Sequence, residues 1–296
     1  MIQFKPIELS DKPIFDDYFK KTNHNNAEKN FSNLYMWRHT YQYEYALIND
    51  CLCIKGKMRQ TQQPFCHFPY GGCKIQSPIP LLEQAFQDEG QELIIKPLLP
   101  EMKKCLEKGM PNKFEIQEDR NSFDYIYTST KLIELKGSKL RTKRRWVKKF
   151  KQQYNYTYEP ITPENLEEAK QFTINTIKQT KPKTNDEIIA MTEMFNNLFT
   201  LGIKGCIVKV DGNIAGVSTG EHLTNDTVLI HCERANREYE GIYNFINQEF
   251  CKNQWSQYKY INREEDLGIQ GLRSAKLTYQ PDNLLTKYIA KIKTEA

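Results

Sequence analysis

Short apolar runs with strand-like spacing alternate along this chain with segments whose apolar positions recur every three or four residues. In the first half, residues 2–7 read as a short strand. Ser10 then caps a predicted helix over 12–20, with Pro13 tolerated in its first turn. A polar break at 23–26 precedes a helix that carries Phe31, Leu34, Tyr35 and Arg38 on adjoining turns. Residues 43–48 and 52–57 form a predicted hairpin about Asn49-Asp50, and 64–70 a further strand closed by Gly71-Gly72. Ile79, Leu82, Ala85 and Phe86 mark a helix ending near Gly90. A strand over 93–98, a helix over 101–108 and a strand over 113–116 follow. The stretch 123–135 has no decisive period.

The second half repeats that order. Residues 154–161 read as a strand. A helix over 163–180 places Leu166, Ala169, Phe172, Thr173 and Thr176 on one side, and a helix over 186–201 ends at Gly202. Three strands follow at 205–210, 214–223 and 227–235, the first two joined by the hairpin signal Asp211-Gly212. Gly241 opens a helix to about 253. A strand over 257–261, a helix over 269–277 and a closing strand over 284–292 complete the chain. Each half is of ordinary domain size. The expectation is therefore an α+β fold of two similar halves, 1–130 and 154–296, joined by a basic linker helix over 131–153. One irregular α+β domain is the alternative.

Charge sharpens this picture. The net charge is +5, yet residues 136–151 hold nine basic side chains and no acid, so the remainder of the chain is net negative. As a helix, this stretch would put Trp146, Val147 and Phe150 on one side. Arg141, Arg144, Arg145 and Lys148 would fall on another. Such a face is either a solvated surface or a track for an anion: RNA phosphate, an anionic phospholipid surface or a phosphorylated donor. No apolar run reaches the length of a transmembrane segment, and the first residues lack the apolar core of a secretion signal. Both observations predict a cytoplasmic protein. The eight cysteines form no C-x-x-C pair and read as mostly buried, reduced thiols. Cys66-His67 with Cys73 is only a faint metal hint, and no metal is expected.

Candidate chemistry concentrates in INREEDLGIQGLRSAKLTYQP, residues 261–281. Asn262, Arg263, Glu264, Glu265 and Asp266 are consecutive, and Arg273 and Lys276 follow at helical spacing. Three acids at a strand end are costly if buried unpaired, so they form either a paired network or a binding site. In the network alternative, Glu264, Glu265 and Asp266 pair with Arg263, Arg273 and Lys276. His231 and Cys232 lie mid-strand, where a lone histidine usually packs.

The string NREEDLG-x-x-GLR-x-x-K resembles the signature of the C-terminal domain of bacterial phosphatidylglycerol lysyltransferases. Lys136-Gly137-x-Lys139-Leu140-x-x-Lys143-Arg144 and Phe31-Ser32-Asn33-Leu34-Tyr35-Met36-Trp37-Arg38 fit it too. The resemblance implies tandem GNAT-like (acyl-CoA N-acyltransferase-like) halves, related to the Fem peptidyltransferases. The doubled element order agrees with it. It also implies an acyltransferase that moves an aminoacyl group from a charged tRNA to a lipid headgroup. For this chain the expected acceptor is a small molecule with an amine or hydroxyl.

In such a half two neighbouring strands splay around the donor, which here would bring Glu233 near residues 262–266. Glu233, Glu264 and Asp266 are then the candidate catalytic carboxylates, as proton acceptor or ammonium holder. Asn262, Glu265, Arg273 and Lys276 are candidate substrate contacts. Lys136, Lys139, Arg141, Lys143, Arg144, Arg145 and Lys148 are candidate contacts to tRNA or another anion. Coenzyme A-dependent members of the GNAT fold carry a glycine-rich pyrophosphate loop. Here that place reads Arg237-Glu238-Tyr239-Glu240-Gly241, with two acids where phosphate would lie. The donor expected is aminoacyl-tRNA, with an acyl-CoA donor acting on a small amine as the runner-up. A non-catalytic RNA- or membrane-binding module is the third reading.

Overall fold

The structure is a computed structural model, and it describes residues 2–71, 76–180 and 184–293; Gly72 and Cys73, used in the turn and metal readings, lie outside them. The chain opens with β1 (Lys5–Pro6), α1 (Lys12–Lys20), α2 (Phe31–Tyr41), β2 (Glu44–Ile48), β3 (Cys51–Lys57) and β4 (Pro64–Cys66). It continues with α3 (Pro78–Asp88), β5 (Ile94–Leu98), α4 (Pro100–Gly109) and β6 (Phe114–Glu118), the order expected of the first half. β7 (Asp124–Thr128) and α5 (Ser129–Glu134) fill the stretch that periodicity left open, and α6 (Arg141–Gln153) is the basic helix. Next come β8 (Tyr156–Pro160), α7 (Leu166–Gln179), α8 (Asp186–Asn196), α9 (Leu198–Leu201), β9 (Lys204–Val210), β10 (Asn213–His222) and β11 (Thr227–Ala235). α10 (Ile242–Gln254), β12 (Tyr260–Asn262), α11 (Gln270–Leu277), β13 (Asn283–Leu285) and β14 (Tyr288–Ile292) complete it.

Both predicted hairpins form. Asn49 and Asp50 have φ of 49° and 60°, and Asp211 and Gly212 have 49° and 81°. Positive φ at both central residues suits the twist of the flanking strands.

The strands make two seven-stranded sheets, ordered β1-β2-β3-β4-β5-β14-β6 and β13-β7-β12-β11-β10-β9-β8. Two compact units follow: residues up to 24, 28–123 and from 285 onward form one, and 25–27 with 124–284 form the other. This division differs from the expected bounds of 1–130, 131–153 and 154–296. β7 pairs with β12 and so belongs to the second unit, ahead of the basic helix. The single closing strand expected over 284–292 is two strands in two sheets, because β14 inserts between β5 and β6. Within the first unit Lys287, ahead of β14, has no side-chain exposure and gives hydrogen bonds to both Glu28 oxygens at 2.8 Å. A buried ammonium requires such a partner, and nothing local in the sequence names it.

The basic helix is no free linker either. Val147 and Phe150 are buried in the second unit's core, and Phe150 stacks on Phe245 of α10 with centroids 4.5 Å apart. In that unit Gly216 of β10 lies under Ile246 of α10, while Thr219 contacts Met194 of α8. The sheet is thus covered on both faces.

Cys51 is disulfide-bonded, a departure from the expected reduced state, whereas Cys53, Cys66, Cys105, Cys206, Cys232 and Cys251 are free thiols. Among the described residues no helix is long and apolar enough to cross a membrane. Among them, too, no group of three or more His, Cys, Asp or Glu side chains could hold a metal ion.

Gly241, at the N-cap of α10, has φ of 87°, and a Cβ there would lie 2.5 Å from the Trp146 carbonyl oxygen. Only glycine permits this approach of α6 to α10. Gly241→Ala is expected to cost about 2–4 kcal/mol, from left-handed strain together with the clash. Thermal melting checks this, and a variant as stable as the parent would mean that α6 can shift without penalty.

Candidate active site

β11 and β12 run parallel and pair through Thr227↔Tyr260, Val228↔Ile261 and Leu229↔Asn262. β12 also pairs with β7 on its other edge, and beyond Asn262 the chain continues that pairing alone: Arg263 N–H donates to the Tyr125 carbonyl at 3.0 Å, and Tyr125 N–H to the Glu264 carbonyl at 3.2 Å. β11 continues to Ala235 beside β10. The two strands therefore part after Leu229, and His231 and Glu233 on β11 lie beside the departing Arg263 and Glu264.

The turn after β12 is held by a dense network. Asp266 has no side-chain exposure. Its two oxygens accept from Arg273 at 2.9 and 2.8 Å, from the Tyr125 hydroxyl at 2.5 Å and from Gly268 N–H at 2.8 Å. Burial pushes its pKa up, but Arg273, Tyr125 and Gly268 outweigh burial and hold it well below the usual carboxylate range. The buried Lys276 ammonium donates to the Arg263 carbonyl at 2.7 Å, the Glu264 carbonyl at 3.1 Å and the Glu265 carbonyl. Burial lowers its pKa. Asn262, fully buried, donates to Asp124 and the Asn25 carbonyl and accepts from Glu264 N–H at 2.7 Å. Asp266, Arg273, Lys276 and Asn262 thus spend their polar atoms on the turn. The Glu265 side chain is half-buried.

Glu233 sits differently. Its carboxylate accepts from Arg263 Nη2 at 3.2 Å and from Asn247 Nδ2, on α10, at 3.1 Å. Arg263 stands over the Tyr279 ring at 5.1 Å and the Tyr127 ring at 6.0 Å. Burial opposes the guanidinium charge, but Glu233 and the two tyrosines hold it above its ordinary pKa. Arg263 Nη1 and Asn247 Oδ1 are buried with no partner among the described residues. From α6, the Lys143 ammonium reaches 4.5 Å from the Tyr279 ring, its pKa lowered by burial and then by Arg263.

His231 is a bulge residue: Thr219 pairs with Cys232 and Gly220 with Ile230, so His231 has no opposite number. Its fully buried ring lies between Glu221, 2.8 Å from Nε2, and Glu264, 3.5 Å from Nδ1. Burial pulls its pKa down, but the two carboxylates outweigh burial and raise it to about 9.

The basic residues divide in the same way. Arg144 donates to the Leu135 and Gly137 carbonyls, Lys136 pairs with Glu134, and Lys143 turns toward Tyr279. Lys139, Arg141, Arg145 and Lys148 are exposed. Sequence reasoning missed Asn247, Tyr279 and Glu221, and took Arg263 only as a charge partner. The single signal available was Asn247, a polar residue among Phe245, Ile246 and Phe250 of α10.

Two expectations follow from the electrostatics. Asp266→Asn should lower stability, because an amide cannot accept all the hydrogen bonds that the buried carboxylate takes from Arg273, Tyr125 and Gly268. Urea unfolding measures this, and a loss below about 1 kcal/mol would remove the network from its structural role. For His231, a folded pKa near 9 exceeds the ordinary value of about 6.5. Its stabilisation is then complete below about pH 6.5 and fades as pH rises through about 9, a change on the order of 3 kcal/mol. His231→Gln should flatten that part of the pH–stability curve, and equal slopes in both proteins would contradict the buried imidazolium.

The profile of the family described as phosphatidylglycerol lysyltransferase, C-terminal, matches residues 19–291. A solved structure of a conserved protein of unknown function from Bacteroides thetaiotaomicron is 34% identical, with a TM-score of 0.92 over 99% of this chain and 100% of that one. L-PGS from Bacillus licheniformis superposes with a TM-score of 0.69 at 15% identity, covering 100% of this chain and 95% of that one. A tandem GNAT protein from the clavulanic acid biosynthesis pathway gives a TM-score of 0.52 at 8% identity, with both chains fully covered. An uncharacterized protein of Mycoplasmoides gallisepticum is 22% identical over 178 residues, 58% of this chain, and the match spans just over half, 57%, of that relative. The fold is accordingly α+β with GNAT-like units in tandem, and the chain belongs to the phosphatidylglycerol lysyltransferase C-terminal family.

Proposed function

We propose that this chain is an aminoacyltransferase that works where β11 and β12 part. The observation that carries this reading is the Glu233 carboxylate gripped by Arg263 and Asn247, each keeping one buried polar atom unpaired. One of those atoms, Arg263 Nη1, is a donor and the other, Asn247 Oδ1, an acceptor. A buried unpaired group costs about 1–3 kcal/mol, which a ligand that pairs it recovers. An aminoacyl ester presents the matching set. Its carbonyl oxygen suits Arg263 Nη1, and its ammonium suits Asn247 Oδ1 and Glu233. As the acceptor's amine or hydroxyl attacks the ester carbon, negative charge grows on the oxygen that faces the guanidinium. The nucleophile's proton passes to Glu264, whose side chain is 21% exposed. The ester C–O bond then breaks, and Glu264 passes that proton on to the leaving oxygen. Asp266, Asn262, Arg273 and Lys276 act by fixing the turn that presents Arg263 and Glu264.

Support for a charged tRNA as donor comes from the exposed Lys139, Arg141, Arg145 and Lys148 and from the family. Coenzyme A fits less well. The α10 N-terminus is covered by the Trp146 carbonyl and Phe150 at Gly241, and Glu238 and Glu240 flank it. A pyrophosphate there would meet carboxylates in place of free amides.

Filter binding and transfer assays with a pool of charged tRNAs labelled in the amino acid test this. Arg141→Glu with Arg145→Glu and Lys148→Glu should weaken tRNA binding by roughly tenfold or more at low salt, and wild-type binding should fall steeply as salt rises. Glu233→Gln should keep affinity for uncharged tRNA and lose the preference for the charged form. Micromolar acetyl-coenzyme A binding without tRNA affinity would replace this reading with the acyl-CoA one. tRNA binding that is indifferent to Glu233→Gln, with no transfer to any acceptor, would leave a non-catalytic binding module.

A further inference from the structure

The first unit holds a cavity of about 390 Å³, at the end of the sheet where β1 finishes, β2 begins and β3 finishes. That volume lies within the range of small-molecule sites. One wall is apolar, made by Pro6, Ile7 and the Tyr43 ring. The Tyr43 ring packs closely on β3 because residue 56 is glycine: a Cβ there would come within 2.7 Å of the ring, which also stacks on Tyr41. The rest of the wall is charged. Arg38, Lys55 and Lys57 line it against Glu44 and Glu89, so cation is in excess.

These cations are held in place. Arg38 stacks on Tyr35 at 3.8 Å and donates to the Tyr35 carbonyl at 2.7 Å, which fixes its guanidinium at the end of α2. The Lys55 side chain is 10% exposed; its ammonium lies near the Phe4 and Phe86 rings and donates to both oxygens of Glu89, whose side chain is 50% exposed. Glu89 thereby displays the kind of group this wall accepts. Lys57 is half-buried and His39 exposed at the rim. Arg38 also ends the Phe31–Arg38 signature string, which the site on β11 leaves unused.

We propose that this cavity is a second binding site, for an organic anion with a flat apolar body: an aromatic phosphate monoester or carboxylate. The ring packs against Pro6 at the edge of Tyr43, whose own ring is backed by Gly56 and Tyr41, and the anion meets Arg38, Lys57 and the His39 imidazole. The site is independent of the aminoacyl-transfer reading, since none of its residues belongs to the second unit.

Titration calorimetry with phenyl phosphate, benzoate, phenol and inorganic phosphate decides it. Phenyl phosphate or benzoate should bind with a Kd below about 1 mM. Phenol and inorganic phosphate alone should bind roughly tenfold more weakly or not at all, because each reaches only half of the wall. The stronger of the two aromatic anions identifies the charged group. Lys57→Gln should weaken binding at least roughly threefold, and Lys57→Glu with His39→Glu should abolish it. Both sites lie on the rim, and melting curves establish that the variants fold. No saturable heat from either aromatic anion overturns the proposal, and so does binding that Lys57→Gln leaves unchanged.

Discussion

A fully buried carboxylate, Asp266, fixes the geometry on which the candidate site depends. The turn it anchors contains two non-glycine residues in left-handed conformation, Glu264 with φ of 55° and Leu267 with 52°. Each such residue costs about 1–3 kcal/mol and persists only where its surroundings over-determine it. They do so here. Asp266 takes Arg273, Tyr125 and Gly268, Lys276 takes three successive carbonyls, and Asn262 takes Glu264 N–H. The strain is local and the network that holds it is broad, which is the arrangement expected when a side chain must be presented in one direction. The two residues so presented are Arg263 and Glu264.

The parting of β11 and β12 supplies the other half of the site. After Leu229↔Asn262 the departing chain keeps the β7 pairing that β12 already has and loses only the β11 side. A gap opens there, while Asn262 and Lys276 take up backbone groups of the turn. Glu233 and Arg263 then meet across that gap at 3.2 Å, with Asn247 reaching in from α10. On this account β7 is part of the site's foundation, although it precedes the basic helix by many residues.

The order of elements was legible because local periodicity encodes it. Asn49-Asp50 and Asp211-Gly212 marked their hairpins, and the doubled helix–strand order emerged from apolar spacing alone. Strand partnership was not legible. β7 and β14 are placed by long-range contacts, Tyr125 to Asp266 in one unit and Lys287 to Glu28 in the other, and no local pattern specifies these. The acidic cluster could be read as a cluster, but not sorted. Glu264, Glu265 and Asp266 are adjacent and chemically alike, yet burial and donor supply differ so sharply that Asp266 is locked into the turn while Glu264 reaches the surface. Asn247 gave almost no signal, because a single asparagine on an apolar helix face has many uses.

The same sorting applies to the basic stretch, and it changes what its charge means. Nine basic residues without an acid allowed either a solvated face or a continuous anion track. The structure splits them by the partners within reach. Lys149 and Lys151 pair with Glu240 and Glu249, Lys136 with Glu134, and Arg144 closes backbone carbonyls. Exposed pairs of this kind add little stability, so their value is chiefly orientational. What remains is a short set of exposed cations near the start and middle of α6, with Lys143 turned inward toward Tyr279. Because Val147 and Phe150 are packed against α10, whose Asn247 holds Glu233, the exposed cations and the candidate site share one rigid helix pair. A partner gripped by those cations would therefore be registered against Glu233 by packing, without any need for a moving part.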